Sequence, residues 1–148
     1  MGQYEHLKLE NQLCFPLYAA SREVIRAYRP LLDELDLTYT QYVAMMVLWE
    51  KPQISVKDLG ARLFLDSGTL TPMLKTMEKK GLIKRTRSDK DERILIVEPT
   101  KAGMDLRERA GEIPAKLSGC IRLEPEEAAQ LYGILYKIIG QFEGDLNK

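Results

Sequence analysis

Two groups of side chains in this sequence are spaced to do chemistry. The first is a thiol with tyrosines. A cysteine reacts with oxidants as its thiolate, and free N–H groups at a helix N-terminus favour that form. Leu9, Leu13, Leu17, Val24 and Ile25 recur at helical spacing up to about Tyr28, and Pro16 sits inside the stretch. Proline is tolerated in a first turn, so a regular helix is expected to begin near Asn11 to Leu13, with Cys14 in that turn and Pro30 closing the segment. Tyr18, at i+4, can place its hydroxyl beside the sulfur. Tyr28 is on nearly the same face but 14 residues on, about 21 Å along a straight helix. It cannot reach its own Cys14, but could reach a partner chain's if two such helices cross antiparallel. Read alone, these residues serve equally well as an inert cysteine among interface tyrosines.

The second group lies between residues 55 and 97. Ser55-Val56-Lys57-Asp58 caps a short helix through Leu63, and Asp66-Ser67-Gly68-Thr69-Leu70-Thr71-Pro72 opens another, running to Lys80 with Gly81 as its stop. Ile83 to Arg87 and Arg93 to Val97 read as strands joined by the polar turn Ser88 to Glu92. Helix, turn, helix and basic hairpin in that order form the apparatus that seats a helix in a DNA major groove. Ser67, Gly68, Thr69, Thr71 and Pro72 offer small groups that let backbone and hydroxyls approach phosphates and base edges, and Lys75 lies one turn beyond Thr71. In the hairpin, Asp91 is expected to orient Arg93 toward a minor groove, while Arg85 and Arg87 support phosphate contacts. Any one of these residues alone is more simply a cap or a solvated charge; their order argues for DNA.

Composition agrees only locally. The 148 residues carry 22 Lys+Arg and 22 Asp+Glu, a formal net charge of zero, whereas a nucleic-acid binder usually has a basic excess. Between Pro72 and Arg93, however, eight basic residues face four acidic ones, and such a stripe is the relevant electrostatic footprint. Two cysteines more than a hundred residues apart, with one histidine, make neither a zinc site nor a dense disulfide framework. No cofactor and no metal are expected. The start has no apolar leader region and no apolar run approaches membrane-spanning length, so a cytoplasmic protein with resting thiols reduced is expected.

The remaining elements must position these groups. Thr38-Tyr39-Thr40-Gln41 is a capping box opening a helix to about Glu50, whose Tyr42, Met45, Met46, Leu48 and Trp49 are mostly core. Pro99-Thr100-Lys101 opens a long helix bent at Gly111 and Pro114; a last helix starts at Glu124-Pro125 and buries Leu131, Leu135, Ile138, Ile139 and Phe142. The fold class is therefore mainly α with a small β-wing, as one domain over residues 1–148. Residues 38–99 form the winged helix-turn-helix region, flanked by dimerisation helices over 9–37 and 101–144. Alone, the flanking helices would expose large apolar faces, so a two-fold homodimer is expected. It would present two reading helices to half-sites about 34–36 Å apart in a palindromic operator of double-stranded DNA.

At this point the residues carry a resemblance. Leu65 to Lys75, Met77-Glu78 and Gly81-Leu82-Ile83 resemble the reading helix of the MarR family of winged-helix regulators. Arg85, Arg87-Ser88 and Asp91-Glu92-Arg93 resemble its wing, and Thr100-Lys101-Ala102-Gly103 its entry to the fifth helix. Leu9 to Phe15 followed by Tyr18 is similar to the organic hydroperoxide resistance regulators within that family. The resemblance implies that Cys14 is oxidised to sulfenic acid by organic hydroperoxide, with loss of repression. It also implies that Tyr28 and Tyr39 bond the thiol across the dimer. Cys120 matches the type that carries a second, resolving cysteine, which implies condensation with Cys14, most simply of the other subunit.

Two other readings stay open from residues alone. A MarR-type regulator could instead be released by a non-covalently bound small aromatic ligand, but such a sensor needs no thiol at position 14. A thiol peroxidase using Cys14 and Cys120 would need a substrate cleft and would leave the wing unexplained. The expectation is a DNA-binding repressor, not an enzyme.

Overall fold

The computed structural model describes residues 2–143; the expected boundary at residue 144 lies outside them. Two 3-10 turns, Glu5–Leu7 and Leu9–Asn11, lead into α1 (Cys14–Asp33). The helix thus starts later than Asn11 to Leu13. The Asn11 and Gln12 amides fold back to donate to Glu5 O (2.7 Å) and Lys8 O (2.8 Å), which keeps this stretch in turns. Nor does Pro30 close the helix, which continues through it to Asp33. A mid-helix proline costs about 3 kcal/mol. Beyond it, however, Leu32, Leu35 and Leu37 are buried, each worth roughly 1.5–3 kcal/mol, and packing wins. The chain turns at Asp36 (φ 55°), with Leu37 N–H donating to Leu32 O at 3.1 Å.

The capping box forms as expected at the start of α2 (Tyr39–Glu50): Gln41 N–H donates to Thr38 Oγ1 (3.2 Å) and Thr38 N–H to Gln41 Oε1 (3.1 Å). A two-residue strand β1 (Ile54–Ser55) leads into α3 (Val56–Leu63), capped by Ser55, and then α4 (Ser67–Lys79), capped by Asp66. Strands β2 (Ile83–Arg87) and β3 (Leu95–Pro99) complete an antiparallel sheet of order β1-β3-β2, with Ile54 and Arg85 both opposite Val97. The second strand was expected from Arg93. Instead Arg93 and Ile94 spend their N–H groups on Asp91, through its side chain (3.0 Å) and its carbonyl (2.9 Å), so the tip is a turn.

Two cores result. The head core joins α2, α3, α4 and the sheet through Met45, Leu48, Leu59, Leu70, Leu74, Met77, Ile83 and Val97. The arm core joins the end of α1 and the start of α2 to α5 (Lys101–Ala110) and α6 (Ile113–Ser118), through Leu32, Leu35, Leu37, Tyr42, Leu106, Ala110 and Ile113. Trp49 and Leu82 pack against both. A single helix bent at Gly111 and Pro114 is expected from sequence; the structure instead ends α5 at Ala110 and starts α6 at Ile113.

The last helix, α7 (Pro125–Gly140), differs from expectation in its burial. Within one chain it has no buried residue: Leu131 is exposed, Leu135, Ile138 and Ile139 are half-buried, and Phe142, which lies beyond the helix, is exposed. Its Tyr136 meets Phe64 edge-on at 6.5 Å, but among the described residues most of its apolar face has nothing to cover it. The exposed Leu13, Phe15 and Leu17 of the N-terminal segment share that condition.

Candidate nucleic-acid interface and thiol site

The reading helix is built so that one face is core and the other bare. Leu70, Leu74 and Met77 face inward, which leaves Ser67, Gly68, Thr69, Pro72 and Lys75 exposed and Thr71 half-buried. The Asp66 carboxylate accepts the Thr69 N–H at 2.8 Å, so Ser67 and Gly68 N–H groups remain at the open helix end. A Cβ on Gly68 would meet only the Asp66 carboxylate, at 3.4 Å, an ordinary contact. Nothing among the described residues requires glycine there.

The preceding turn sets the helix angle. Phe64 adopts φ 56°, Leu65 N–H donates to Gly60 O (3.0 Å), and α3 and α4 cross over Gly60, where a Cβ would lie 2.8 Å from Leu65 O.

The wing pairs its charges in two ways. At the tip, the Arg93 guanidinium donates to both Asp91 carboxylate oxygens (3.1 and 3.2 Å) while its side chain stays 91% exposed. That hydrogen bond holds the Asp91 carboxyl below the usual carboxylate range. Arg87 is exposed and donates to Glu92 O at 3.4 Å. Arg85 behaves differently from the sequence expectation. Its guanidinium is largely covered and reaches both oxygens of Glu78 on α4 (3.3 and 3.5 Å), and its backbone N–H joins them (3.2 Å). The Arg85 hydrogen bond keeps Glu78 ionised, its carboxyl lowered from the ordinary value. Arg85 therefore ties the wing to the reading helix. Sequence reasoning missed Glu78 because the pair crosses the Gly81 turn, where no local period applies.

Cys14 is exposed at the first position of α1. Pro16, in the same turn, contributes no N–H. Tyr18 is exposed, and its hydroxyl accepts from Arg22 (3.4 Å), whose guanidinium also lies 5.5 Å from its ring centroid. Tyr28 sits further along α1 against Tyr39 (4.9 Å) and Tyr42 (5.8 Å), and α1's continuity keeps it about 21 Å from its own Cys14. Burial, then Tyr39 and Tyr42, push Tyr28 up to about 12; burial also raises Tyr39 and Tyr42. All three hydroxyls thus keep their protons at neutral pH and can donate. Tyr42 is core as expected, at 3% exposure, and its i+3 spacing from Tyr39 also brings it into this cluster. Cys120 is exposed just beyond α6, its Sγ 3.9 Å from Lys116 O. Both thiols are free.

Among the described residues, no helix is long and apolar enough to cross a membrane, and no cluster of three metal-ligating side chains occurs.

Known proteins share this architecture. A family profile for the transcriptional regulators SarA/Rot matches residues 26–109. The organic hydroperoxide resistance transcriptional regulator of Bacillus subtilis is 50% identical over 138 residues, covering 93% of this chain and 94% of the relative. The structure of reduced AbfR bound to DNA superposes with a TM-score of 0.78 at 34% identity, covering 95% of this chain and 97% of that one. Disulfide-formed AbfR superposes less closely, with a TM-score of 0.66 at 36% identity, covering 93% and 96%. With a winged head, a thiol at the tip of α1 and likeness over nearly its whole length, the chain belongs to the MarR family of winged-helix transcriptional regulators, in the group of the organic hydroperoxide resistance regulators.

Proposed function

We propose that this protein is a homodimeric, redox-responsive repressor that binds a palindromic operator and releases it when an organic hydroperoxide oxidises Cys14. The observation that carries the reading is the placement of an exposed thiol at one end of α1 and three proton-keeping tyrosines at the other. Neither half works alone; two antiparallel α1 helices would bring each thiol to the partner's Tyr28 and Tyr39, with Tyr18 alongside.

The exposed apolar faces of the N-terminal segment and α7 supply the surface for such a dimer. Ser67, Gly68, Thr69, Thr71, Pro72 and Lys75 form the major-groove face, and Arg87 with the Asp91–Arg93 pair forms the wing contact. Arg85 holds the two together. Thiolate attack on the peroxide O–O bond yields sulfenic acid and an alcohol. Condensation of that sulfenic acid with the Cys120 thiol of the other subunit forms a disulfide and water. The closer likeness to reduced, DNA-bound AbfR than to its disulfide form supports reading the present conformation as the binding one.

Operator-shift with and without cumene hydroperoxide, paired with non-reducing gels and mass spectrometry of both cysteines, tests this. Release accompanied by a dithiothreitol-reversible Cys14–Cys120 crosslink is expected. Release with Cys14 oxidised and no crosslink removes Cys120 from the mechanism. No release rejects peroxide sensing.

A further inference from the structure

Lys80 belongs to the basic stripe in the sequence, yet its side chain is turned inward. It is the C-cap residue of α4 and only 25% exposed. Its ammonium donates to Asp36 O at 2.6 Å and to Gln41 Oε1 at 3.0 Å, and lies 3.8 Å from the Asp36 carboxylate. Both acceptors lie at the corner where α1 meets α2. Asp36 is the left-handed residue of that turn, and Gln41, 4% exposed, is the buried polar side chain that closes the α2 capping box. Gln41 stands between Tyr39 and Tyr42, whose rings pack on Tyr28. The end of the reading helix is thus bonded to the turn from which the tyrosine cluster springs.

Head and arm have separate cores, in contact through Trp49 and Leu82. They are also joined by the continuous α2, by Trp49 Nε1–H donating to Gly103 O (2.9 Å) and by Thr100 N–H donating to Leu82 O (3.0 Å). Those links tie α5 to α2 and to Leu82; the α1–α2 corner is tied to the end of α4 by an ammonium held by two oxygens, which fixes a direction and loses much if they separate.

We propose that Lys80 is the positioning residue that locks the end of the reading helix to the tyrosine corner, so that rearrangement of the tyrosines on oxidation of Cys14 is passed to the DNA-reading head. The inference rests on the redox reading above. It adds the intramolecular link that this reading leaves unassigned.

The test is operator affinity of full-length wild type, Lys80→Met and Gln41→Glu, each reduced and after cumene hydroperoxide, with Cys14 sulfenic acid trapped by dimedone as a parallel readout. Methionine keeps the apolar stem and removes the donors; glutamate keeps both the capping box and an acceptor for Lys80. For Lys80→Met, the ratio of oxidised to reduced dissociation constants should shrink about tenfold, the low end of what a charge-assisted hydrogen bond supplies. Its trapping rate should equal wild type, and Gln41→Glu should keep the wild-type ratio. A released wild type with Lys80→Met released to the same ratio overturns the link alone. If Lys80→Met fails to fold, loss of the ratio in Gln41→Leu, with trapping retained, supports it, and an intact ratio there overturns it. A wild type that binds but is never released overturns the redox reading, and the link with it.

Discussion

Gly60→Ala puts the turn before the reading helix to a quantitative test. Exchanging glycine for alanine inside a helix ordinarily stabilises by roughly 1 kcal/mol. At position 60 the new Cβ would lie 2.8 Å from Leu65 O and 3.3 Å from Leu70 Cδ2. The Leu70 methyl can yield by a few tenths of an ångström. The Leu65 carbonyl cannot easily do so, because the Leu65 N–H is bonded to Gly60 O and Phe64 is already held at φ 56°. Overpacking of this kind costs about 1–3 kcal/mol, and contact with fixed backbone puts it at the upper end. After the propensity gain, a net loss of about 1–2 kcal/mol is expected. For a chain of this size that lowers Tm by roughly 3–8 °C. The clash is also relieved by opening the α3–α4 angle, which should weaken operator binding of the reduced protein. Thermal unfolding by circular dichroism with a parallel operator titration decides the matter. A Tm equal to or above wild type would falsify the reasoning, since propensity would then outweigh a contact claimed to be rigid.

Three further outcomes are expected. Arg93→Ala should weaken operator binding and flatten its salt dependence by about one counterion, without changing peroxide reactivity; unchanged affinity would remove the wing tip from the interface. Cys14→Ser should bind operator normally and ignore cumene hydroperoxide, so continued release would strip Cys14 of its role. Tyr28 is raised in the folded chain to about 12, from an ordinary value of 10.0. Its contribution to stability is therefore complete below pH 10 and lost as pH rises toward 12. Tyr28→Phe should flatten the fall in Tm across that alkaline window; an identical fall would argue against burial as the cause.

What could be read from sequence divides along physical lines. The winged head was legible because its signals are local: Thr38/Gln41, Ser55 and Asp66 cap helices through residues three positions away, and Gly81 takes the positive φ that stops α4. Pro30 misled because its penalty is local while the burial of Leu32 and Leu35 that overrides it comes from α5 and α6. The apolar residues of α7 were recognised, but an interior was assumed that one chain does not possess. In the candidate site, the start of α1 at Cys14 and the exposed face of α4 follow from position alone. The contacts of Arg85 and Lys80 do not, because each depends on a partner brought close by folding, Glu78 in one case and the α1–α2 corner in the other. A count of basic residues therefore overstates the charge available to DNA.

The unbroken run of α1 from Cys14 to Asp33 has a consequence for stoichiometry. On the proposed mechanism, with Cys14 and Tyr28 far apart on one rod, every complete sensor would borrow half its parts from each subunit, and a dimer would hold two such composites. A chain lacking the thiol and a chain lacking the tyrosines would each be deaf as homodimers. Paired with each other, they would regain one working sensor, formed by the intact thiol of one and the intact tyrosines of the other. On that mechanism the rod makes hearing a property of the pair.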